Sequence, residues 1–506
     1  MTPSRLDARA LRDLVVDPGS WRSWDTPVPP RAVDDGYAGE LVRAAEKSGQ
    51  DEAIVTGEAT LRGRRVAVVA GEFGFLAGSI GTATAERLMS AIEQATAEGL
   101  PLLAAPVSGG TRMQEGTVAF LQMVGITAAI ARHKEAGLPY LVYLRGPTFG
   151  GVLASWGSLG HVTIAEPGAA IGFLGPRVYA ALYGEPFPEG VQTAENLAAH
   201  GLIDGVVAPG DLADVADRAL RVLAARATWH RDAAVAPPEP DDGSDAEDPE
   251  DHRSAWDVVT ASRRPDRPGV RELLRTAATD VVPLNGTGAG ESDPGLLLAL
   301  ARFGGAPCVV LGQDRRGQSP TAPLGPGALR EARRGMRLAA ELRLPLLTLI
   351  DTPGAALSVA AEEGGLAGEI ARCMSDLLML PAPTLAVLLG QGTGGGALAL
   401  VPADRVLAAA NGWLGPLPPE GASAIVHRTV DRAAEMAASQ GVRATDLWRG
   451  GIVDRVVPER PDAADEPVEF CRRLGRVLAQ ELAGLLGRDD VERLRSRTRR
   501  WRHLGS

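Results

Sequence analysis

The sequence predicts an α/β protein made of two similar units, and three observations favour this fold class. Short runs rich in Leu, Val and Ile alternate with helical patterns along both halves of the 506-residue chain. Landmarks of the first half recur in the same order in the second half. One acidic segment with few apolar residues separates the halves. We therefore expect domains at 1–230 and 253–506, joined by a disordered linker at 231–252.

The first half is expected to run strand, turn, helix, strand, turn. Apolar runs of this length suit strands that are buried on both faces, with helices as crossovers between them. The landmarks in order are the run Pro101–Val107, Ser108-Gly109-Gly110, Glu115-Gly116, a helical pattern to Gly137, the run Leu138–Leu144, and Gly150-Gly151.

The second half repeats this order. Its landmarks are Leu344–Ile350, Asp351-Thr352-Pro353-Gly354, Glu363-Gly364, a helical pattern to Leu380, Thr384–Leu389, and Gly394-Gly395-Gly396. Farther along, the stretches 188–190 and 201–207 recur as 419–421 and 451–457. We interpret the order as an internal duplication of one α/β unit of roughly 200 residues.

Charge is concentrated in two segments. The stretch Glu239–Asp251 carries eight carboxylates and no basic residue, so self-repulsion favours a disordered tether. The stretch Arg488–Ser506 holds seven arginines against three acids. It is either an amphipathic, basic C-terminal helix packed on the body or an electrostatic docking arm.

The composition excludes several classes of protein. Three cysteines (Cys308, Cys373 and Cys471) form no CxxC pair, and the seven histidines show no metal-ligand spacing, so we expect no disulfide framework and no metal. A net charge of −11 argues against a nucleic-acid binder. The charged N-terminus and the prolines and glycines within 377–403 predict neither a signal peptide nor a membrane span, which leaves the cytoplasm as the expected compartment.

Two glycine turns are the strongest candidates for chemistry. Thr148-Phe149-Gly150-Gly151 and Thr393-Gly394-Gly395-Gly396 each end a predicted strand and open a segment of small residues. Consecutive glycines allow positive φ angles and let a ligand approach the backbone closely. Unpaired amides at such a turn form an oxyanion hole for an enolate or a similar anion. A plain tight turn is the alternative, and the recurrence in both halves favours the functional interpretation.

Other residues have two interpretations each. Glu115, Glu362 and Glu363 are acid–base groups or helix-capping carboxylates. Arg112 binds a phosphate or pairs with a nearby carboxylate, and Cys373 is expected in the core. The sequence contains no GxSxG, Walker A or HExxH motif. This favours electrostatic stabilisation of a substrate that carries its own leaving group.

The sequence resembles the carboxyltransferase component of acyl-CoA carboxylases, which has a crotonase-type fold. The first half is similar to the β subunit of bacterial acetyl-CoA carboxylase and the second half to its α subunit, as in a fused β/α chain of actinobacterial type. The matching stretches are 71–81 (GEFGFLAGSIG), 108–116 (SGGTRMQEG), 165–177, 188–194, 255–267 (AWDVVTASRRPDR), 350–355 (IDTPGA), 361–371, 390–399 and 418–423.

The resemblance implies two tandem crotonase-type domains and transfer of CO₂ from N1-carboxybiotin to the α-carbon of acetyl-CoA or another short acyl-CoA, giving malonyl-CoA. Biotin would be carried by a biotin carboxyl carrier protein, with biotin carboxylase as a further partner and a homodimer or larger homo-oligomer as the assembly. Carried over by position, Gly150 and Gly151 face the thioester, and Gly395 and Gly396 face the biotin. Substrate-binding positions would be Gly109, Gly110, Arg112, Gly354, Leu398 and Ala399.

Two departures from the family pattern bear on the function. Asn285-Gly286-Thr287-Gly288 replaces a His-Gly-Asp-Arg stretch, and Ala356-Leu357-Ser358 replaces an aromatic-Pro-Gly stretch. Two alternatives therefore stay open beside the transferase: a biotin-independent malonyl-thioester decarboxylase, and a non-catalytic assembly partner that keeps the fold.

Overall fold

The computed structural model describes residues 6–28, 34–225, 253–319 and 321–502. The expected linker at 231–252 lies outside these residues. The chain divides into two compact units, Met1–Ala224 and Ala225–Ser506, called unit 1 and unit 2 below. Each unit is an α/β structure around its own sheet.

Unit 1 is built on a seven-stranded sheet in the order β1-β2-β3-β4-β5-β7-β9, with β6 and β8 paired separately. Its strands are β1 (Arg22–Ser23), β2 (Ile54–Leu61), β3 (Arg64–Gly71), β4 (Leu102–Ala105), β5 (Tyr140–Leu144), β6 (Thr148–Phe149), β7 (Val162–Ala165), β8 (Ile171–Gly172) and β9 (Gly205–Val206). Its helices are α1 (Ala8–Val15), α2 (Asp35–Ser48), α3 (Thr82–Ala97), α4 (Gly116–Glu135), α5 (Pro176–Tyr183), α6 (Ala194–Ala199) and α7 (Leu212–Leu223).

Unit 2 has a seven-stranded sheet in the order β10-β11-β12-β13-β14-β15-β16. Its strands are β10 (Thr279–Leu284), β11 (Leu296–Phe303), β12 (Ala306–Gln313), β13 (Leu346–Thr352), β14 (Thr384–Gly392), β15 (Arg405–Ala409) and β16 (Arg455–Val457). Its helices are α8 (Ala255–Ser262), α9 (Val270–Ala277), α10 (Pro326–Leu342), α11 (Val359–Glu363), α12 (Leu366–Met379), α13 (Gly394–Leu398), α14 (Pro419–His427), α15 (Ala433–Ser439), α16 (Ala444–Arg449), α17 (Pro467–Leu486) and α18 (Asp490–Arg500).

The two sheets have the same pattern of strand directions. In each, the first three strands pair antiparallel and the remaining neighbours pair parallel. The fourth and fifth positions are β4 and β5 in unit 1, and β13 and β14 in unit 2. The turns that follow these strands therefore lie at equivalent places in the two units.

The central strands are buried along their whole length, which explains their continuous apolar runs. Every residue of β4, β5 and β7 is buried, and so is every residue of β12 and β13. A strand covered by helices on both faces needs apolar side chains at successive positions rather than at alternate ones. Long helices such as α3 and α10 supply the covering layers with apolar faces.

The basic C-terminal segment packs on unit 2 as helix α18. Arg493 and Arg497 are buried, and both pair with the buried Asp404. The side chain of Asp489 accepts hydrogen bonds from the first amides of the helix and so caps its start. Among the described residues, no helix is both long and apolar enough to cross a membrane.

Candidate active site

The first turn of each unit is closed by a hydroxyl two residues before a glycine. In unit 1 the Gly110 N–H donates to Ser108 Oγ at 3.0 Å, and in unit 2 the Gly354 N–H donates to Thr352 Oγ1 at 3.1 Å. Each hydroxyl also donates back to the carbonyl of its glycine, at 3.1 Å in both units. The φ angles are 122° and 135°, in the region that favours glycine. Gly110 and Gly354 are therefore structural equivalents.

The second turn begins with a left-handed glycine in each unit. Gly150 has a φ of 65° and Gly394 a φ of 62°. The Gly150 N–H donates to the carbonyl of Phe173 at 3.0 Å and also approaches that of Gly172 at 3.2 Å, whereas the Gly394 N–H donates to the carbonyl of Gly415 at 2.9 Å. Gly150 thus matches Gly394, and both amides are already used inside the protein. This excludes the Gly150 N–H as a free donor to a ligand.

The next residue in each turn has an amide with no acceptor among the described residues. Gly151 and Gly395 are half-buried, and no group among the described residues accepts from either N–H. Gly151 follows Gly110 by 41 positions, and Gly395 follows Gly354 by 41 positions. Gly151 is therefore equivalent to Gly395, and not to Gly396, the last glycine of the turn in unit 2.

Both glycines lie against the helix that follows the first turn. A Cβ added to Gly151 would lie 3.2 Å from Met123 Cγ, and one added to Gly395 would lie 2.7 Å from Ile370 Cδ1. Gly396 is buried, and a Cβ there would lie 3.2 Å from the Ala355 nitrogen. The second turn thus packs against the helices α4 in unit 1 and α12 in unit 2, and in unit 2 also against the backbone of the first turn.

A strained loop beside the first turn of unit 1 was not predicted as part of the site. Leu76, Ala77 and Gly78 have φ angles of 43°, 57° and 66° in succession. The Ala77 carbonyl accepts a hydrogen bond from the Gly109 N–H at 2.8 Å, which ties the loop to the Ser108–Gly110 turn. Left-handed backbone at non-glycine residues is costly and concentrates at functional sites. Two of the three residues are not glycine, so their sequence gave no signal of this conformation.

Arg112 does not face a ligand, and the structure corrects its expected role in substrate binding. Its side chain is 1% exposed and forms a two-pronged ion pair with Glu52, at 2.6 and 3.1 Å. A further hydrogen bond runs to the Ser79 carbonyl at 2.7 Å. A buried guanidinium must have its charge and donors satisfied, and here Glu52 satisfies them. Arg112 therefore holds the strained loop to the body of unit 1.

The remaining candidates lie outside the glycine turns. Glu115 accepts from the Thr82 N–H at 2.6 Å at the start of α3, and these hydrogen bonds offset its burial and lower its pKa. Glu362 and Glu363 are exposed on α11. Burial raises the pKa of the Cys373 thiol to about 12, which makes it an inert core residue.

The two residues expected to wall an acyl pocket differ from each other. Leu398 is 47% exposed and can contact a ligand, but Ala399 is completely buried. Ala399 is therefore corrected to a core position, because its side chain faces the protein interior.

A buried carboxylate lies beneath the first turn of unit 2. Asp351 is 1% exposed, and its burial raises its pKa, while Arg315 at 3.4 Å opposes that shift. Its Oδ1 accepts from the Gln391 N–H at 3.1 Å, and its own N–H donates to Gln313 Oε1 at 3.1 Å. Gln313 also donates to the Gly396 carbonyl at 2.7 Å. These contacts lock the two turns of unit 2 to each other.

The same arrangement of two turns thus occurs once in each unit. Comparisons with known proteins show which family the chain belongs to. The model of the carboxyl transferase domain family matches residues 4–488. The chain belongs to this family. It is 60% identical over 502 residues to the probable biotin-dependent acyl-coenzyme A carboxylase beta3 subunit of Mycobacterium tuberculosis, covering 99% of both chains. It is 39% identical over 522 residues to the acetyl-coenzyme A carboxylase carboxyl transferase subunits beta/alpha of Salinispora tropica, covering 99% of this chain and 91% of the relative.

Two solved structures have the same fold as this chain. Transcarboxylase 12S superposes with a TM-score of 0.71 at 22% identity, covering 93% of this chain and 89% of that one. A single-chain, multi-domain long-chain acyl-CoA carboxylase gives the same TM-score at 18% identity, covering 94% of this chain and 46% of that one. The prediction of tandem crotonase-type domains in an acyl-CoA carboxylase carboxyltransferase is confirmed.

Proposed function

We propose that the protein is a biotin-dependent carboxyltransferase that carries CO₂ to the α-carbon of acetyl-CoA or another short acyl-CoA, giving malonyl-CoA or its homologue. The observation that carries the proposal is the repeated pair of turns, in which no group among the described residues accepts from the amides of Gly151 and Gly395. Relatives named as acyl-CoA and acetyl-CoA carboxylase subunits over nearly the whole chain support this substrate class.

The site in unit 1 suits a thioester. Deprotonation of an acyl-CoA at its α-carbon places negative charge on the thioester oxygen. The Gly151 N–H would donate to that oxygen, since no group among the described residues accepts from it. The preceding residue, Gly150, fixes the turn through its own hydrogen bond to Phe173. A donor held in this way needs no reorganisation during the reaction, and one such donor contributes about 3–4 kcal/mol in other oxyanion holes.

The site in unit 2 suits the ureido carbonyl of biotin. No group among the described residues accepts from the Gly395 N–H. A side chain at this position would come too close to Ile370, so glycine leaves the space beside the amide open to a ligand. When bound, carboxybiotin supplies the CO₂ and, once CO₂ has left, a nitrogen that can accept the α-proton.

The partners follow from the same proposal. Biotin would arrive on a biotin carboxyl carrier protein that is loaded by a biotin carboxylase, and the compartment would be the cytoplasm. A homodimer or larger homo-oligomer is supported by exposed apolar residues on α4, where Val118, Phe120, Leu121 and Val124 are 55–67% exposed. Sedimentation of the purified chain would reveal a monomer if this part of the proposal is wrong.

The test is consumption of malonyl-CoA by the purified protein, with and without free biocytin as the acceptor. We expect consumption only with biocytin, at least tenfold reduced in Gly151→Val and in Gly395→Val. Gly205→Val is the matched control, because a Cβ at Gly205 meets nothing within 4 Å. Consumption that does not need biocytin would favour the decarboxylase instead, and full activity in both turn variants would contradict the oxyanion mechanism.

A further inference from the structure

A buried polar network connects the two turns of unit 2, and its centre is Gln313 at the end of β12. The Gln313 side chain is completely buried. Its Nε2 donates to the Gly396 carbonyl in the second turn at 2.7 Å, and its Oε1 accepts from the Asp351 N–H at the start of the first turn at 3.1 Å. The Asp351 carboxylate accepts from the Gln391 N–H at 3.1 Å. One amide side chain thus holds both turns at once.

The strand registers show which residue of unit 1 stands at the place of Gln313. In both sheets the third strand pairs in parallel with the fourth over four residues, namely 67–70 with 102–105 and 309–312 with 346–349. The third strand then continues to Gly71 in unit 1 and to Gln313 in unit 2. The same count aligns Val107 with Asp351. A Cβ on Gly71 would lie 2.9 Å from the Val107 nitrogen, so the two positions are neighbours in unit 1 as well.

Unit 1 lacks the polar groups of the network at all three positions. Gly71 has no side chain that could bridge the turns, and Val107 has no carboxylate. The third position is Pro147, which follows the start of β5 as Gln391 follows the start of the paired strand β14. Proline has no N–H to donate. The network is therefore a property of unit 2 and not of the duplicated fold.

The third glycine of the second turn explains why unit 2 needs this network. In unit 1 the residue after Gly151 is Val152, whose completely buried side chain anchors the turn in the core. In unit 2 the residue after Gly395 is Gly396, which has no side chain to pack. Three consecutive glycines also have the most conformational freedom to lose on folding. The hydrogen bond from Gln313 to the Gly396 carbonyl replaces the missing anchor.

We propose that Gln313 is a positioning residue for the Gly395 amide, and that it serves the biotin-facing turn at 393–396 and not the thioester-facing turn at 148–151. The inference rests on the proposed function. A backbone donor stabilises charge on a ligand only where its direction is fixed in advance. Gln313 fixes that direction through Gly396, from a buried position behind the turn. Its loss should therefore weaken the reaction with biotin and leave the binding of acyl-CoA unchanged.

The test compares biocytin kinetics with acyl-CoA binding in Gln313→Met. Methionine is similar in length to glutamine, but it cannot donate to the Gly396 carbonyl and is only a weak acceptor for the Asp351 N–H. We expect kcat/KM for biocytin, measured by malonyl-CoA consumption, to fall roughly tenfold or more. The calorimetric affinity for malonyl-CoA should equal that of wild type.

Thr348→Val is the matched control for the loss of a buried hydrogen bond. Thr348 is buried on β13, and its Oγ1 donates to the Leu400 carbonyl at 2.8 Å, outside both turns of unit 2. Valine has the same shape and removes this bond. The variant should keep the biocytin kinetics and the malonyl-CoA affinity of wild type.

Hydrogen exchange separates a local change from unfolding. In Gln313→Met, amides in peptides that span 394–400 should exchange faster than in wild type, whereas peptides that span 150–156 should not change. Wild-type kinetics in this variant would overturn the inference and leave the proposed function standing. Equal losses of biocytin kinetics and malonyl-CoA affinity, with faster exchange in both units, would also overturn it. No malonyl-CoA consumption by wild type with biocytin would overturn the proposed function and the inference together.

Discussion

Replacing Arg497 by Met should undock the C-terminal helix from unit 2. The Arg497 side chain is completely buried, and all five of its N–H groups have acceptors. Two of these bonds go to Asp404 at 2.7 and 2.8 Å, and three go to the carbonyls of Leu377, Leu380 and Ala382 at 2.7–2.8 Å. Methionine fills much of the volume but leaves Asp404 with one cationic partner, Arg493, instead of two.

The magnitude follows from the cost of breaking a buried pair. Removing one partner of a buried ion pair costs about 3–5 kcal/mol. If the free energy of opening α18 falls by this amount, amide hydrogen exchange in α18 rises by roughly 100-fold to several thousandfold. Arg497→Lys keeps the charge but loses the fork of donors, so we expect an intermediate rise.

Hydrogen exchange measured by mass spectrometry would follow peptides of α18 and of β14. The control is Arg495→Ala. The Arg495 side chain is 55% exposed and, among the described residues, pairs only with Glu492, so the amide exchange of α18 should stay close to wild type in this variant. Unchanged protection of α18 in Arg497→Met would refute the reasoning, because the buried pair would then contribute nothing to docking.

Two further predictions concern buried charges. Arg112→Met should lower the melting temperature by several degrees, because it breaks the buried ion pair with Glu52. The KM for acyl-CoA should not rise selectively. A higher KM at an unchanged melting temperature would mean that Arg112 binds substrate. Burial raises the pKa of Glu331 to about 7, above its ordinary value of 4.5, so the folded state binds a proton that the unfolded state releases. Stability should therefore fall as the pH rises from about 4.5 to 7, by roughly 3 kcal/mol at most. Glu331→Gln keeps an acceptor for the Gly286 N–H and should flatten this slope in urea titrations, whereas the same slope in both proteins would contradict the assignment.

Buried strands of both units could be predicted from the sequence because they leave a continuous apolar signal. Runs such as Leu138–Leu144 and Leu344–Ile350 contain β5 and most of β13. The roles of charged residues could not be predicted, because their partners are distant in sequence. Arg112 pairs with Glu52, which lies 60 positions earlier, and nothing near either residue indicates the other.

The register of the second turn shows where glycine patterns stop being informative. Unit 1 has two consecutive glycines after Phe149, but unit 2 has three after Thr393, so spacing alone allows two alignments. The φ angles of Gly150 and Gly394 and their occupied amides decide between them.

The third glycine of unit 2 then has a separate reason. The position that follows Gly151 is Val152, which is completely buried, whereas the position that follows Gly395 is Gly396, where a Cβ would crowd the Ala355 nitrogen. The backbone of the first turn of unit 2 therefore limits the side chain at position 396, whereas unit 1 buries a valine side chain at position 152.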